Sequence, residues 1–376
     1  MALALTSLAQ IGALKFDTII DVRSPSEFAE DHIPGAINLP VLDDEERARV
    51  GTVYKQISPF LARKMGAALV ARNAARHIEE ALADKDGGWR PLVYCWRGGQ
   101  RSGSFASILS QIGWRVELIA GGYKAWRALV VAEVQDRPVQ APVVVLDGNT
   151  GSAKTDILNL LPGHGLQVID LEAMANHRGS LFGHRAGGQP SQKMFETRLA
   201  MALSGLDPTR PVVIEAESSR IGDLSVPKQL WAAIAGAPRI RLEVPVAARA
   251  EYLTRAYGDL SSDRAGLSDV IGQMRRLHAK DVIDGWLALA AEGAFRQLAA
   301  ELMAEHYDPR YEKHRARLAK ATDTVLAVGD LSPEVLAGVA ARVAEAVGAM
   351  TRLLDGHQGR ALGDGADDRG LRRAGG

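Results

Sequence analysis

The sequence predicts an α/β protein with two parallel-sheet domains joined by a short linker. Three observations predict it. Short apolar runs of strand length alternate with helix-like stretches, and the alternation occurs in two separate series. Such alternation places crossover helices on both faces of a parallel sheet. A linker-like segment, QDRPVQAP (135–142), separates the two series. The chain of 376 residues has room for two domains, three at most, at roughly 100–200 residues each.

The first series runs over 1–137. FDTIIDV (16–22) reads as a short buried strand. SPSEFAE (24–30) has a Ser cap, Pro in the first turn and acids behind it, which is a helix start. HIPGAINLP (32–40) is a turn leading to a short strand, and residues 42–86 form a helical insertion. PLVY (91–94) is a strand and RSGSFASILSQIG (101–113) a helix stopped by Gly. RVELIAGG and YKAWRALVVAEV (115–134) repeat the pair. The second series spans 141–350, with strands expected in 143–147, 165–172, 211–217, 239–244 and 323–328. Long helical stretches lie between them, notably a helical extension over 246–318. The Gly- and charge-rich tail 356–376 has the composition of a disordered segment.

Composition narrows the function classes. A hydrophobic content of 47% supports sizeable cores. One cysteine rules out a disulfide framework and a multi-cysteine metal site, and fits a reducing, cytoplasmic setting. The apolar N-terminus lacks a charged segment before it, so a signal peptide is not expected. No run approaches the ~20 apolar residues of a membrane span, so no membrane partner is expected. Lys+Arg and Asp+Glu balance at 45 each. The balance hides a local patch: from Arg47 to His77 there are seven Lys or Arg (Arg47, Arg49, Lys55, Arg63, Lys64, Arg72, Arg76) and no acid. Either a solvated helical face or a nucleic-acid surface accounts for it.

The lone Cys95 lies between a strand and a helix, in YCWRGGQRS (94–102). In parallel sheets that position is the ligand edge. Backbone N–H groups gathered there stabilise an anion, which lowers a thiol pKa and favours the reactive thiolate. Gly98 and Gly99 let the backbone curl, and Gln100 and Ser102 complete the anion loop. Arg97 and Arg101 supply positive charge, and either has the fork to hold an oxyanion. Cys95 to Arg101 also spells C-x5-R, the spacing of cysteine phosphatases. Tyr94 stands where those loops usually carry His, and no obvious general acid follows.

GNTGSAKT (148–155) follows the strand VVVLD and opens a helix, and it resembles a P-loop, G-x-x-x-x-G-K-[ST]. Gly148, Thr150, Gly151 and Ser152 would cradle phosphates, Lys154 would neutralise them, and Thr155 would face Mg²⁺. Ala153 replaces the second glycine of the pattern. The added Cβ crowds the cradle, so phosphate binding is expected without ATP turnover. Asp170 and Glu215, at strand ends, are the expected Mg²⁺ partners, although no metal ligand is fixed by sequence. NHRGSLFG (176–183), GGQPSQKMFE (187–196) and EAESSRIG (215–222) bring further polar residues to the same edge. Of these, His177, Arg178 and Arg220 are candidate substrate contacts.

DVRSPSEFAEDHIPGAINLP (21–40) and the Cys95 loop together resemble a rhodanese domain. Asp21, Arg23 and His32 belong to its opening signature and read as scaffold. A rhodanese-like domain with CWRGGQRS, fused to a P-loop NTPase-like domain with NHRGSLFG and EAESSRIG, resembles the tRNA 2-selenouridine synthase family up to about residue 350. The resemblance implies a transferase that replaces the 2-thio sulfur of the tRNA wobble uridine with selenium from selenophosphate. It also implies an S-geranylated intermediate made from geranyl diphosphate, and Cys95 as the selenium-carrying thiolate. It implies tRNA as partner, not DNA, and no tightly bound cofactor. Arg63, Lys64, Arg72 and Arg76 then become the expected tRNA contacts. Two alternatives stay open: a C-x5-R phosphatase with a nucleotide-binding regulatory domain, and a non-catalytic tRNA- or nucleotide-binding protein.

Overall fold

The computed structural model describes residues 2–258, 263–318 and 323–363. It divides into two compact units. The first comprises Met1–Arg137, Gln189–Gly205 and Pro227–Gln229; the second comprises Pro138–Gly188, Leu206–Val226 and the chain from Leu230 onward.

The first unit holds a five-stranded sheet of β1 (Ala2–Leu3), β2 (Thr18–Asp21), β3 (Ala36–Asn38), β4 (Pro91–Tyr94) and β5 (Glu117–Ile119). Its order is β1-β5-β4-β2-β3 and every pairing is parallel. All four residues of β4 are buried, as a central parallel strand requires. The core gathers Ile20, Val22, Val93, Phe105 and Leu109. The helix Pro25–Glu30 begins with Pro and a Ser24/Glu27 capping box, as its sequence predicts. The expected insertion 42–86 is a pair of helices, Asp44–Gln56 and Pro59–Glu79, broken where Ser58 caps and Pro59 starts the second.

The scaffold residues form a buried polar knot. Arg23, fully buried, donates from Nε and Nη2 to the Asp21 carboxylate at 2.6–3.0 Å and to the Asp31 carbonyl at 2.5 Å. Its guanidinium stacks 3.9 Å over Tyr123. His32 bonds the Phe28 carbonyl at 2.9 Å and stacks on the Phe28 ring. Removing Arg23 leaves Asp21 charged and unpaired in the core. Arg23→Ala is therefore expected to cost about 3–5 kcal/mol, read as a lower denaturant midpoint of the first unit; an unchanged midpoint contradicts the scaffold role.

The second unit holds β6 (Val143–Gly148), β7 (Gln167–Ile169), β8 (Val212–Glu215), a small antiparallel pair β9 (Arg220–Ile221) and β10 (Leu224–Ser225), then β11 (Arg239–Glu243) and β12 (Asp323–Ala327). The main sheet runs β12-β11-β6-β8-β7, all parallel. Val144, Leu146, Ile157, Val213, Ile240 and Val343 form its core. The expected helical extension holds, among the described residues, five α-helices from Val246–Ala256 to Asp308–Leu318, with a core of its own around Ile271, Ile283, Trp286 and Leu298.

The structure differs from a division into two contiguous blocks. The helix Gln192–Ser204 belongs to the first unit, although it follows the phosphate loop in sequence. Thr197 donates to the buried Asp31 carboxylate at 3.0 Å, and Glu196 pairs with Arg127. Buried polar groups that need each other hold this helix where it is. The final helix, Pro333–Gly363, also continues through the first residues of the tail expected to be disordered; residues 364–376 lie outside the described residues. Among the described residues, no helix is long and apolar enough to cross a membrane.

Candidate functional site

Cys95 sits at the carboxyl end of β4, 3% exposed. Gly99 N–H donates to its Sγ at 3.3 Å and the Ser102 hydroxyl at 3.1 Å. Burial pushes the thiol pKa up, but the bonds from Ser102 and from backbone N–H groups, with the charge of Arg101, outweigh it. The net result is a thiol held below its ordinary pKa. The loop is shaped by a second one. Gly98 has φ +65°, and a Cβ there would lie 2.7 Å from the Ile119 carbonyl. Gly122 has φ +56°, and a Cβ there would lie 2.6 Å from the Gly98 nitrogen. Tyr123 and Lys124 N–H groups donate to the carbonyls of Cys95 and Trp96. Gly121–Gly122 is thus the support of the cysteine loop, a role the sequence reading missed.

The two arginines divide. Arg97 is exposed and, among the described residues, has no carboxylate partner. Arg101 is engaged: it grips Glu27 at 2.7 and 3.4 Å. Its guanidinium is committed to a carboxylate, so the phosphate grip of a C-x5-R phosphatase is not formed. Arg101 still lends its field to Cys95.

In the second unit the chain leaves β6 and folds into the phosphate loop. Gly151 has φ +81°, where a Cβ would meet the Leu253 side chain at 2.9 Å. Ala153 takes φ 55°, ψ 30°, the left-handed conformation that the usual glycine adopts freely. With a Cβ that conformation costs about 1–2 kcal/mol, so the strain expected from the sequence is present. Arg249, buried, anchors the loop by donating to the Thr150 carbonyl at 3.1 Å and to Asp308 at 2.7–2.9 Å. Lys154 Nζ lies 2.9 Å from the Gly148 carbonyl. Burial works against its charge, but Tyr311, Glu217, Glu172 and Asp147 more than compensate and hold its pKa above the usual lysine value.

Three carboxylates converge beside the loop. Glu172, Glu215 and Glu217 each place an oxygen within 4.8 Å of the others. The Thr155 hydroxyl reaches Glu172 at 3.1 Å and Glu215 at 3.2 Å. Burial raises all three pKa values; repulsion from Glu172 adds to it at Glu215 and Glu217, while Lys154 and Thr155 offset part of it at Glu172, and Glu217 is pushed up to about 8. An all-oxygen cluster of this kind suits a hard divalent cation such as Mg²⁺, which would relieve the repulsion. Occupation requires Glu217 to lose its proton. Mg²⁺ affinity is therefore expected to rise with pH, by up to about tenfold per unit below pH 8. Calorimetric Mg²⁺ titrations on either side of that pH measure it; a flat profile contradicts the assignment.

Of the expected Mg²⁺ partners, Glu215 is in this cluster and Asp170 is not. Asp170 caps the helix Leu171–Ala175, accepting from Ala173 N–H at 2.7 Å, and binds Asn159 at 3.2 Å. The helix start turns the chain, so Glu172, two residues on, points inward instead. His177 is buried and accepts from Gly179 N–H at 3.1 Å; burial, then His184, lowers its pKa. It reads as a neutral structural histidine. Arg178 stacks 4.5 Å over Tyr257 and lines the phosphate-loop cleft with Lys154 and Glu172. Arg220 is exposed on β9. Of the segment 187–196, Ser191 and Lys193 bind Glu30 within the first unit.

Arg63, Lys64, Arg72 and Arg76 all lie on the exposed side of Pro59–Glu79, whose other side buries Ala62, Leu69, Val70 and Ala74. At the turn of this helical hairpin, Tyr54, Ile57 and Phe60 stand 53%, 69% and 66% exposed. Apolar and aromatic groups amid cations are what unstacked bases need.

Comparison with known proteins matches a family to each part of the chain. Residues 5–129 match the rhodanese-like domain family, and residues 141–272 match the tRNA 2-selenouridine synthase AAA domain. A tRNA 2-selenouridine synthase from Chromohalobacter salexigens is 36% identical over 355 residues, covering 87% of this chain and 95% of that protein. The synthase from Hahella chejuensis is 33% identical, covering 78% and 84%. That from Alcanivorax borkumensis is 34% identical, covering 80% and 90%. A thiolate loop of rhodanese type and a phosphate loop, joined in one chain and matched along nearly its full length, lead to one conclusion: the chain belongs to the tRNA 2-selenouridine synthase family.

Proposed function

We propose that this enzyme converts wobble 2-thiouridine of tRNA to 2-selenouridine in two steps, geranylation of the sulfur and then exchange for selenium. The observation that carries the reading is a lowered-pKa thiolate and a lysine-bearing phosphate loop in one member of the family. In the first step the tRNA sulfur attacks the first carbon of geranyl diphosphate. The C–O bond breaks and its electrons leave on diphosphate. The loop N–H groups and Lys154 stabilise that developing charge. A divalent cation held by Thr155, Glu172, Glu215 and Glu217 would neutralise more of it.

In the second step the selenium of selenophosphate attacks C2, the C2–S bond breaks and the sulfur departs as geranylthiol; water then cleaves the Se–P bond, which releases phosphate and leaves selenium on C2. Geranylation makes the sulfur a better leaving group. Cys95 is the selenium-carrying thiolate, its N–H and hydroxyl cradle suited to a small selenium-bearing oxyanion. Arg97 is the cation free to meet that oxyanion. The test is a reaction of purified protein with 2-thiouridine tRNA, geranyl diphosphate, Mg²⁺ and selenophosphate, without ATP. Nucleoside mass spectrometry should find S-geranyl-2-thiouridine and then 2-selenouridine. Product only in the presence of ATP contradicts the reading.

The basic hairpin binds the tRNA in this scheme. Each lost phosphate contact lowers the log–log salt slope by about 0.7–0.9. Changing Arg63, Lys64, Arg72 and Arg76 together to Gln should weaken tRNA binding and flatten that slope. An unchanged slope makes the segment a solvated face.

A further inference from the structure

The phosphate-loop cleft does not end at the loop. A second cavity in the same unit, of about 90 Å³ and open to solvent, is walled by Phe182, Leu267, Phe295, Leu298, Leu302 and Met303. Thr150, Ser180, Leu253 and Tyr257 line both spaces, so the apolar cavity opens onto the phosphate loop.

We propose that this cavity holds the isoprenoid chain of an allylic diphosphate whose head lies on the phosphate loop, and that the helix Phe295–Leu302 limits the chain length accepted. The proposal rests on reading the loop as a diphosphate site and adds where the hydrocarbon goes. The joined spaces have the polarity of such a molecule: cations and N–H groups at one end, carbon at the other. A nucleotide would place its ribose and base next to the phosphates and would need hydrogen-bond partners there. Beyond the mouth the walls are mostly Leu, Phe and Met, with Thr254 and Tyr307 the polar exceptions, so they offer a base edge little and a prenyl chain a good deal. Of the residues that the helix Phe295–Leu302 gives to the cavity wall, Ala299 has the smallest side chain. A larger residue there takes space from the chain without touching the loop.

The experiment is calorimetric binding of inorganic diphosphate, dimethylallyl diphosphate and geranyl diphosphate to the full chain with Mg²⁺. The wild type should bind geranyl diphosphate at least about tenfold more tightly than inorganic diphosphate, with the five-carbon ligand between them, as burial of successive methylenes requires. Ala299→Leu should remove most of the geranyl advantage while leaving inorganic diphosphate binding unchanged, which also reports that the variant is folded. Equal affinity of the wild type for all three ligands overturns the cavity assignment while the diphosphate loop stands. No binding of inorganic diphosphate overturns the loop reading, and the cavity assignment falls with it. An Ala299→Leu variant that loses all three ligands equally would make the position structural, and the wild-type chain-length series then decides alone.

Discussion

Replacing Cys95 with serine is expected to abolish 2-selenouridine formation, by on the order of a thousandfold or more, as loss of an essential nucleophile does. The cause is chemical rather than structural. The side chains are nearly isosteric, and the donors that now reach Sγ, Gly99 N–H and the Ser102 hydroxyl, can serve a serine oxygen. A serine does not ionise near neutral pH, and oxygen lacks the affinity of sulfur for selenium. Geranylation asks for no thiolate and should continue. Tyr94 and Trp96 flank Cys95, and neither is changed, so the thermal transition of the variant should match that of the wild type. Normal selenouridine from the serine variant would remove Cys95 from the chemistry.

Lys154→Ala is expected to reduce geranylation of 2-thiouridine tRNA by about 100- to 1,000-fold, the usual effect of deleting one preorganised donor to a developing anion. Lys154 is poised for this role. Its ammonium is buried, held at the Gly148 carbonyl and kept charged by Tyr311, Glu217 and Glu172. The same variant should convert tRNA that was geranylated beforehand at the normal rate, because no diphosphate leaves in that step. Equal loss in both assays would return the lysine to a structural role.

The fold was largely legible in the sequence. Parallel strands buried on both faces are uniform apolar runs, and PLVY, VVVLD and PVVIE declare themselves. Ala2–Leu3 does not, because a two-residue edge strand carries no pattern of its own. Both loops were legible as well, since each concentrates glycine, cation and reactive residue in under ten positions. What stayed hidden depends on partners distant in sequence. Arg101 looks like a free oxyanion ligand until Glu27, 74 residues earlier, is seen against it. Glu172, Glu215 and Glu217 come from two different strand ends, and nothing local says that they converge. Asp170 misled because it ends an apolar strand; its second identity as a helix cap settles where its carboxylate goes. The helix Gln192–Ser204 misled in the same way, its place set by Asp31 rather than by its neighbours in the chain.

The most direct measurement is mass spectrometry of tRNA nucleosides from cells that lack this gene and carry it back as wild type, Cys95→Ser or Lys154→Ala, grown with selenium. The predicted result is 2-selenouridine with the wild type alone. S-geranyl-2-thiouridine should accumulate with Cys95→Ser, and neither modified nucleoside should appear with Lys154→Ala. Undiminished 2-selenouridine in cells without the gene would contradict the central claim. So would 2-selenouridine in the Lys154→Ala cells at the wild-type level, because selenium would then enter without a geranylated intermediate.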